Sequence, residues 1–181
     1  MPRQPLIVGL GGTARAGSTS ERALRHAMAS AASLDCATRV FGGPDLPGEF
    51  FAAESAARGD KARQLVHALR EADGVIIASP GYHGSVSGLV KNALDFAEDL
   101  RADARPYLEG RAIGLIVTAD GPQALGSTLA ALRAIAHALR GWPTPYAALI
   151  NTSKPASVAA QLSGVELVAA QVAQFARRMR D

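Results

Sequence analysis

Val75-Ile76-Ile77-Ala78-Ser79-Pro80-Gly81-Tyr82-His83-Gly84-Ser85-Val86-Ser87-Gly88-Leu89-Val90-Lys91-Asn92-Ala93-Leu94-Asp95-Phe96 is the stretch on which the reading of this chain turns. Its first four residues form an unbroken apolar run, as expected of a strand buried on both faces. Ser79-Pro80 and the glycines after it mark a loop. Val86, Leu89, Val90, Ala93, Leu94 and Ala97 then recur at the spacing of one helix face, while Lys91, Asn92, Asp95 and Glu98 fall mostly on the other. The order is strand, polar glycine-rich loop, helix. In an open parallel sheet, ligands bind in loops at the carboxyl ends of strands.

Outward from this stretch the same alternation repeats. Leu6 to Leu10 reads as a short buried strand, Gly11 to Gly17 as a loop, and Ser18 to about Ala32 as a helix with Leu24, Ala27, Met28 and Ala31 on one face. Ser18 and Glu21 have the spacing of a capping box. Thr38 to Phe41 is a second strand, Gly42 to Gly48 a loop, and Ala56 to Ala72 a helix with Ala62, Leu65, Val66 and Leu69 inward. Beyond the helix that begins near Ser87, Ala112 to Val117 is the fourth strand and Asp120-Gly121-Pro122 a turn. Leu125, Leu129, Leu132, Ala136 and Leu139 mark a helix ended by Gly141. Tyr146 to Ile150 is the fifth strand. Leu162, Val165, Val168, Val172, Phe175 and Met179 mark a last helix. Five alternations without a linker predict one α/β domain over residues 1–181: a doubly wound five-stranded parallel sheet of flavodoxin-like order 2-1-3-4-5.

Composition narrows the class. The chain has 181 residues, 48% hydrophobic and 19% charged, with a formal net charge of +3, which is a globular balance. Its positive charges are scattered apart from Arg177-Arg178-Met179-Arg180, and no basic stripe with interleaved aromatics points to nucleic acid. A single cysteine, Cys36, allows no intrachain disulfide and reads as a small buried hydrophobe. No apolar run is long enough to span a bilayer, and none at the start reads as a signal peptide, so a soluble cytoplasmic protein is expected.

The first loop carries chemistry of its own. Thr13, Ser18, Thr19 and Ser20 offer hydroxyl donors, Arg15 a guanidinium fork, and the following helix N-terminus unpaired N–H groups. Together they suit a phosphate. Gly9, Gly11 and Ala14 also fit the dinucleotide pattern G-x-G-x-x-A, a weak signal alone. The acid such a site wants at the end of the second strand is missing, since that strand runs into Phe41-Gly42-Gly43-Pro44, with Asp45 late in the loop. The residues favour a mononucleotide.

Two motifs together resemble the NAD(P)H-dependent FMN reductase family. Gly12-Thr13-Ala14-Arg15-Ala16-Gly17-Ser18 is similar to the family's G-S-x-R-x-x-S, with Thr for Ser. Ser79 to Asp95 follows its S-P-E-Y-H-G-S-x-x-G-x-x-K-N-A-L-D almost throughout, with Gly81 in place of Glu. The resemblance implies noncovalent FMN, its phosphate among Thr13, Arg15, Ser18, Thr19 and Ser20, and its ring against Pro80, Gly81, Tyr82, His83 and Gly84. The loop from Thr118 through Ala119, Asp120 and Gly121 would meet the ring's other edge. It further implies hydride transfer from NADPH or NADH to the flavin and on to an acceptor or a partner monooxygenase, in a homodimer or homotetramer.

Backbone N–H groups of the Pro80–Gly84 loop suit a flavin edge. The flavin would do the chemistry, so no side chain is required as a catalyst; His83 is a weak candidate for a proton-transfer role. Rival readings are an FMN-containing quinone, azo or metal-ion reductase, and a non-enzymatic flavodoxin-type electron carrier, against which the positive net charge speaks. Phe96 lies off the apolar stripe of its helix. It is either a subunit-interface anchor or a ring tucked under the neighbouring loop.

Overall fold

The computed structural model describes residues 3–153 and 161–179; Arg180 of the basic tail lies outside them. Three strands form the centre of the sheet: β1 (Leu6–Gly11), β3 (Gly74–Tyr82) and β5 (Ala112–Ala119). All pair in parallel, with β2 (Ala37–Phe41) outside β1. On the far side of β5 lie two short segments, β6 (Trp142–Pro143) and β7 (Ala148–Asn151), both parallel to it. The order of the long parallel strands is the expected one. The count is not: among the described residues the sheet has seven strands, because the fifth position is split and β4 (Ser85–Val86) folds back antiparallel on β3.

Both faces of the sheet are apolar, and alternate residues serve different cores. Val75 and Ile77 of β3 join Val8 and Leu10 of β1 and Ile113, Leu115 and Val117 of β5 on one face. There they meet α2 (Asp60–Glu71), α3 (Gly88–Asp95) and α4 (Pro122–Ala138). Ile76, Ala78, Ile7 and Ile116 point the other way, under α1 (Thr19–Ser33) and α5 (Leu162–Arg178). Cys36 is buried in this second core, as expected. The stripe of α5 is carried by Val165, Val168, Ala169, Val172, Ala173 and Ala176; Phe175 and Met179 lie outside the core. Among the described residues no helix is long and apolar enough to cross a membrane.

Several boundaries differ from the expected ones, each for a local reason. Val86 belongs to β4 rather than to the helix, and α3 starts at Gly88 because the Ser87 side chain caps it, its Oγ accepting from Val90 N at 3.2 Å. α2 starts at Asp60 rather than Ala56. The preceding residues are held as a loop by Arg58, which donates to the carbonyls of Ala52, Ser55 and Ala57 and pairs with both Asp99 oxygens at 2.8 Å. The expected loop at 42–48 contains a 3₁₀ turn, Gly43–Asp45.

Phe96 is not an interface anchor. It is 1% exposed, meets Phe51 edge-on with ring centroids 5.4 Å apart, and lies beneath the Arg58 guanidinium, 5.6 Å from its ring centre. A 3₁₀ turn, Phe96–Leu100, continues α3 and rotates the ring out of the helical phase that placed it on the surface. Asn92 holds the same loop, accepting from Phe51 N at 2.9 Å and donating to Glu49 O at 2.9 Å. Lys91 pairs with Asp95 one turn along, at 2.6 Å.

At the opposite end of the sheet from the ligand loops, Arg111 is buried just before β5. Its guanidinium donates to Ala72 O at 3.0 Å and Arg70 O at 2.7 Å, at the end of α2, and to Tyr107 O at 3.1 Å. A cation is favoured at a helix C-terminus. Burial, reinforced by nearby Arg105, pushes its pKa down to about 10, so it stays charged at neutral pH. Arg111→Met should strip donors from these carbonyls and destabilise the fold by about 3 kcal/mol. An unchanged urea midpoint would show that the carbonyls are satisfied without it.

Candidate functional site

Parallel register fixes where the site forms. Gly11 of β1 lies abreast of Ala78 of β3, and Ala78 abreast of Ile116 of β5. The chain segments leaving these strands therefore emerge side by side. Gly12 N donates to Ala78 O at 3.1 Å, joining the first loop to the central strand.

The first loop is ordered by its own polar groups. Thr13 Oγ1 accepts from Arg15 N at 3.2 Å and donates to Arg15 O at 3.1 Å. Ser18 is the N-cap of α1: its Oγ accepts from Glu21 N at 3.3 Å and lies 3.4 Å from Ser20 Oγ. Ser18 and Ser20 are 3% and 1% exposed, so both hydroxyls face inward contacts rather than open solvent. The reciprocal half of the capping box goes to Gly17, whose N donates to Glu21 Oε2 at 2.8 Å, and Arg25 neutralises that buried carboxylate at 2.7 Å. An α-helix leaves its first N–H groups without intrahelical acceptors, and only one of those at α1 is taken by Ser18. The N–H groups of Thr19 and Ser20 have no acceptor among the described residues. Arg15 is exposed and has no ion pair among the described residues. Of the five residues expected at a phosphate, Arg15 and Thr19 are thus free to act by side chain; Ser20 offers backbone, while Thr13 and Ser18 shape the loop.

The loop is braced from behind by Gly43, which the sequence reading left as plain loop. Gly43 packs against the Thr13 carbonyl so closely that a Cβ there would lie 1.6 Å from the oxygen. Any side chain at 43 would push the first loop off the sheet.

The middle loop is a β-hairpin. Strand β3 continues past Ser79 to Tyr82, reverses at His83-Gly84 and returns as β4, with Tyr82 opposite Ser85. Both turn residues have positive φ, 49° at His83 and 87° at Gly84, the conformation of a two-residue type I′ turn. Glycine takes it without strain; His pays a modest amount. Ser79 Oγ accepts from Ser87 N at 3.1 Å and closes the base. Pro80 is buried, Gly81 half-buried, Tyr82 51% exposed, and His83 and Gly84 open to solvent. His83 has no hydrogen-bond partner among the described residues.

The third element follows β5. Thr118 is buried within the strand, opposite Pro80, and is not part of the loop. Asp120 and Gly121 are. With Gly84, Pro122, Gln123, Ala124 and Ser127 they line a cavity of about 520 Å³ between the hairpin and the start of α4. That is the size of a small-molecule site. Gly121 N donates to Asn151 Oδ1 at 3.2 Å, and Gln161 Oε1 accepts from Asn151 N at 2.7 Å, so the end of β7 anchors this loop. Asn151 and Gly43 are supports that sequence reasoning missed, and neither carried a local signal; Glu21 was legible through its capping-box spacing to Ser18. The structure joins Gly84, Asp120 and Gly121 at one cavity. The residues of the first loop lie on the same sheet edge but do not line that cavity.

Comparison with known proteins agrees with this architecture. The family model for NADPH-dependent FMN reductase matches residues 5–155. The FMN-dependent NADPH-azoreductase of Staphylococcus aureus is 37% identical over 90 residues, which cover 48% of this chain and 44% of that protein. The match thus spans less than half of the relative's length. Among solved structures, RosB with its bound intermediate 8-demethyl-8-formylriboflavin-5'-phosphate superposes with a TM-score of 0.78 at 16% identity, covering 97% of this chain and 80% of that one. The flavodoxin, WrbA-like protein from Agrobacterium tumefaciens gives 0.68 at 19% identity, covering 97% of this chain and 99% of that one. At such identities the likeness is one of fold. With the family model spanning both the first loop and the hairpin, the chain belongs to the NADPH-dependent FMN reductase family.

Proposed function

We propose that this protein is an NAD(P)H-dependent FMN reductase that holds FMN noncovalently at the carboxyl edge of the sheet. The observation that carries the reading is a joint one. A cavity of about 520 Å³ opens between the hairpin and α4, on the same edge as Arg15 and a helix N-terminus whose first N–H groups, like the Arg15 guanidinium, have no partner among the described residues. The donor set suits a phosphate, and the backbone-rich cavity wall suits a flat heteroaromatic ring with a polar rim.

Arg15, Thr19 and the first N–H groups of α1 would bind the phosphate. Pro80, Gly81, Tyr82, His83 and Gly84 would position the ring on one side, and Asp120 and Gly121 on the other. Bound FMN supplies the hydride and electron transfer. The chain's part is to orient the ring, keep one face open to a nicotinamide, and hold water off the rest. No side chain need supply a proton, and His83, exposed on its turn, can act through its backbone.

The azoreductase relative favours a second reading on the same site: a reductase that keeps its FMN and passes electrons to azo or quinone acceptors. A flavin released to a partner monooxygenase is the alternative fate. We place the protein in the cytoplasm, where nicotinamide nucleotides are. We also propose a homodimer or larger assembly. Phe50, 91% exposed on the loop anchored by Asn92 and Arg58, offers the apolar ring that Phe96 does not.

Purified protein should show a flavin spectrum after incubation with FMN and should oxidise NADPH or NADH only with FMN present. Retention of colour through dialysis would select the tight-cofactor reading. A protein that leaves both nucleotides intact would overturn the reductase assignment. Arg15→Ala should weaken FMN binding by about 1.5 kcal/mol, roughly tenfold in Kd, as expected for one charged hydrogen bond at an exposed position. Unchanged affinity in a fluorescence titration would remove Arg15 from the phosphate site. Gly84→Val places a β-branched residue at positive φ on the cavity wall and should abolish flavin binding while the fold persists. Normal flavin absorbance and turnover would show that the hairpin does not hold the ring.

A further inference from the structure

The hairpin and α4 are the two walls of the cavity, and one hydroxyl joins them. Thr128 on α4 is wholly buried, and its Oγ1 donates to Ser85 O at 3.2 Å. Ser85 directly follows the His83-Gly84 turn and pairs with Tyr82. Thr128 lies one helical turn after Ala124 and next to Ser127, both of which line the cavity. The bond therefore ties the hairpin's returning strand to the helix that forms the opposite wall. At the other end of the hairpin, Ser79 Oγ donates to Pro80 O at 2.8 Å and accepts from Ser87 N at 3.1 Å. Two buried hydroxyls thus fix the hairpin's position, one at its base and one near its tip.

Gly81 makes the second contact possible. Its φ is not among the positive ones, so the requirement for glycine here is space and not conformation. A Cβ at 81 would lie 2.5 Å from Thr128 Oγ1, 3.1 Å from Ala119 Cβ and 3.3 Å from Ala124 O. The hydroxyl would have to swing away, and Ser85 O would lose its donor. A Glu at this position, as in the family motif, is incompatible with Thr128 in this rotamer. Gly81 and Thr128 are a matched pair.

We infer that Thr128 is a positioning residue for the flavin ring: by pinning Ser85 it sets the gap between the hairpin and α4, and Gly81 is the space it needs. This rests on the flavin reading proposed above. Thr128 itself does not line the cavity, so its effect reaches the ring through the hairpin. An unpinned hairpin would sample several gaps, and binding would be weakened by the cost of selecting one. Losing one buried donor to a backbone carbonyl corresponds to about a tenfold change in an equilibrium constant.

The test compares FMN titrations and visible flavin spectra of the wild type, Thr128→Val, Thr128→Ser, Gly81→Ala, Thr128→Ala and the Gly81→Ala/Thr128→Ala pair. Thr128→Val keeps the shape and removes the donor; it should raise the FMN Kd about tenfold and shift the flavin absorption bands. Thr128→Ser restores the hydroxyl and should recover both, which a purely space-filling role would not predict. Gly81→Ala should act like Thr128→Val. In the Thr128→Ala background the closest clash, with Oγ1, is gone and only the looser contacts with Ala119 Cβ and Ala124 O remain, so Gly81→Ala should add less than it does alone and the two effects are not additive. Amide exchange at Tyr82 and Ser85, the pair that flanks the turn, should quicken without FMN in Thr128→Val while the β1 and β5 amides stay protected. Should Thr128→Val fail to fold, Gly81→Ala carries the test through exchange at the Ser85 amide without FMN, a readout that direct ring contact would not move: faster exchange there supports the inference and wild-type exchange overturns it. Wild-type FMN binding together with unchanged affinity and spectra in Thr128→Val or Gly81→Ala overturns this inference alone. A wild type that binds no FMN overturns the flavin reading and this inference with it.

Discussion

The parallel ladder of β1, β3 and β5 is the constraint on which everything else depends. Its register sets Gly11, Ala78 and Ile116 abreast, so that β1 ends at Gly11 while β3 and β5 run on side by side past that level, and all three loops leave the same edge of the sheet. Both faces of these strands are committed to separate apolar cores, which means none of them can tilt or slide to adjust the site. A one-residue slip would exchange the residues facing the two cores. The polar loops are thus carried by the most rigid part of the molecule, and their relative positions are decided by backbone hydrogen bonds rather than by the loops themselves.

Most polar side chains at this edge are spent on holding the loops. Thr13, Ser18 and Glu21 order the first loop; Ser79 and Thr128 pin the hairpin; Asn151 secures the turn before α4. What is left to meet a ligand is largely backbone, with exposed Arg15, Tyr82, His83 and Asp120 and half-buried Thr19 among the exceptions. Such a division suits a protein whose cofactor brings its own reactive atoms. The scaffold then needs accurate placement and a tuned surrounding more than acid–base groups.

Away from the edge, single cations organise the connecting segments. Arg58 gathers three carbonyls, Asp99 and the faces of Phe51 and Phe96 into one unit, which keeps the 51–58 segment from joining α2. Hydrogen bonding to Asp99 raises the Arg58 pKa further. Arg111 does comparable work at the other end of the sheet, among the carbonyls at the end of α2. For both, most of the partners are backbone carbonyls, near in sequence for Arg58 and, at Arg111, 41 and 39 residues away for Arg70 and Ala72, so side-chain identity at those positions carries no trace of the contact.

The sequence by itself determined the alternation of elements, the central strand order, the two-sided burial of β3 and the pair of motifs that mark the family. These are encoded locally, in hydrophobic period and in glycine and proline placement, and need no knowledge of distant residues. Only the tertiary structure decided that Val86 turns back as a strand, that Phe96 is buried, that Thr118 is inside the sheet, and that Ser18 and Ser20 are turned inward. Helical period cannot distinguish the first residue of a helix from the last of a hairpin when both are apolar. Nor can it see that a 3₁₀ turn rotates Phe96 under Arg58. The fit between Gly81 and Thr128 is of the same kind. It joins residues 47 positions apart in sequence, through a contact that exists only once α4 has packed beside the hairpin.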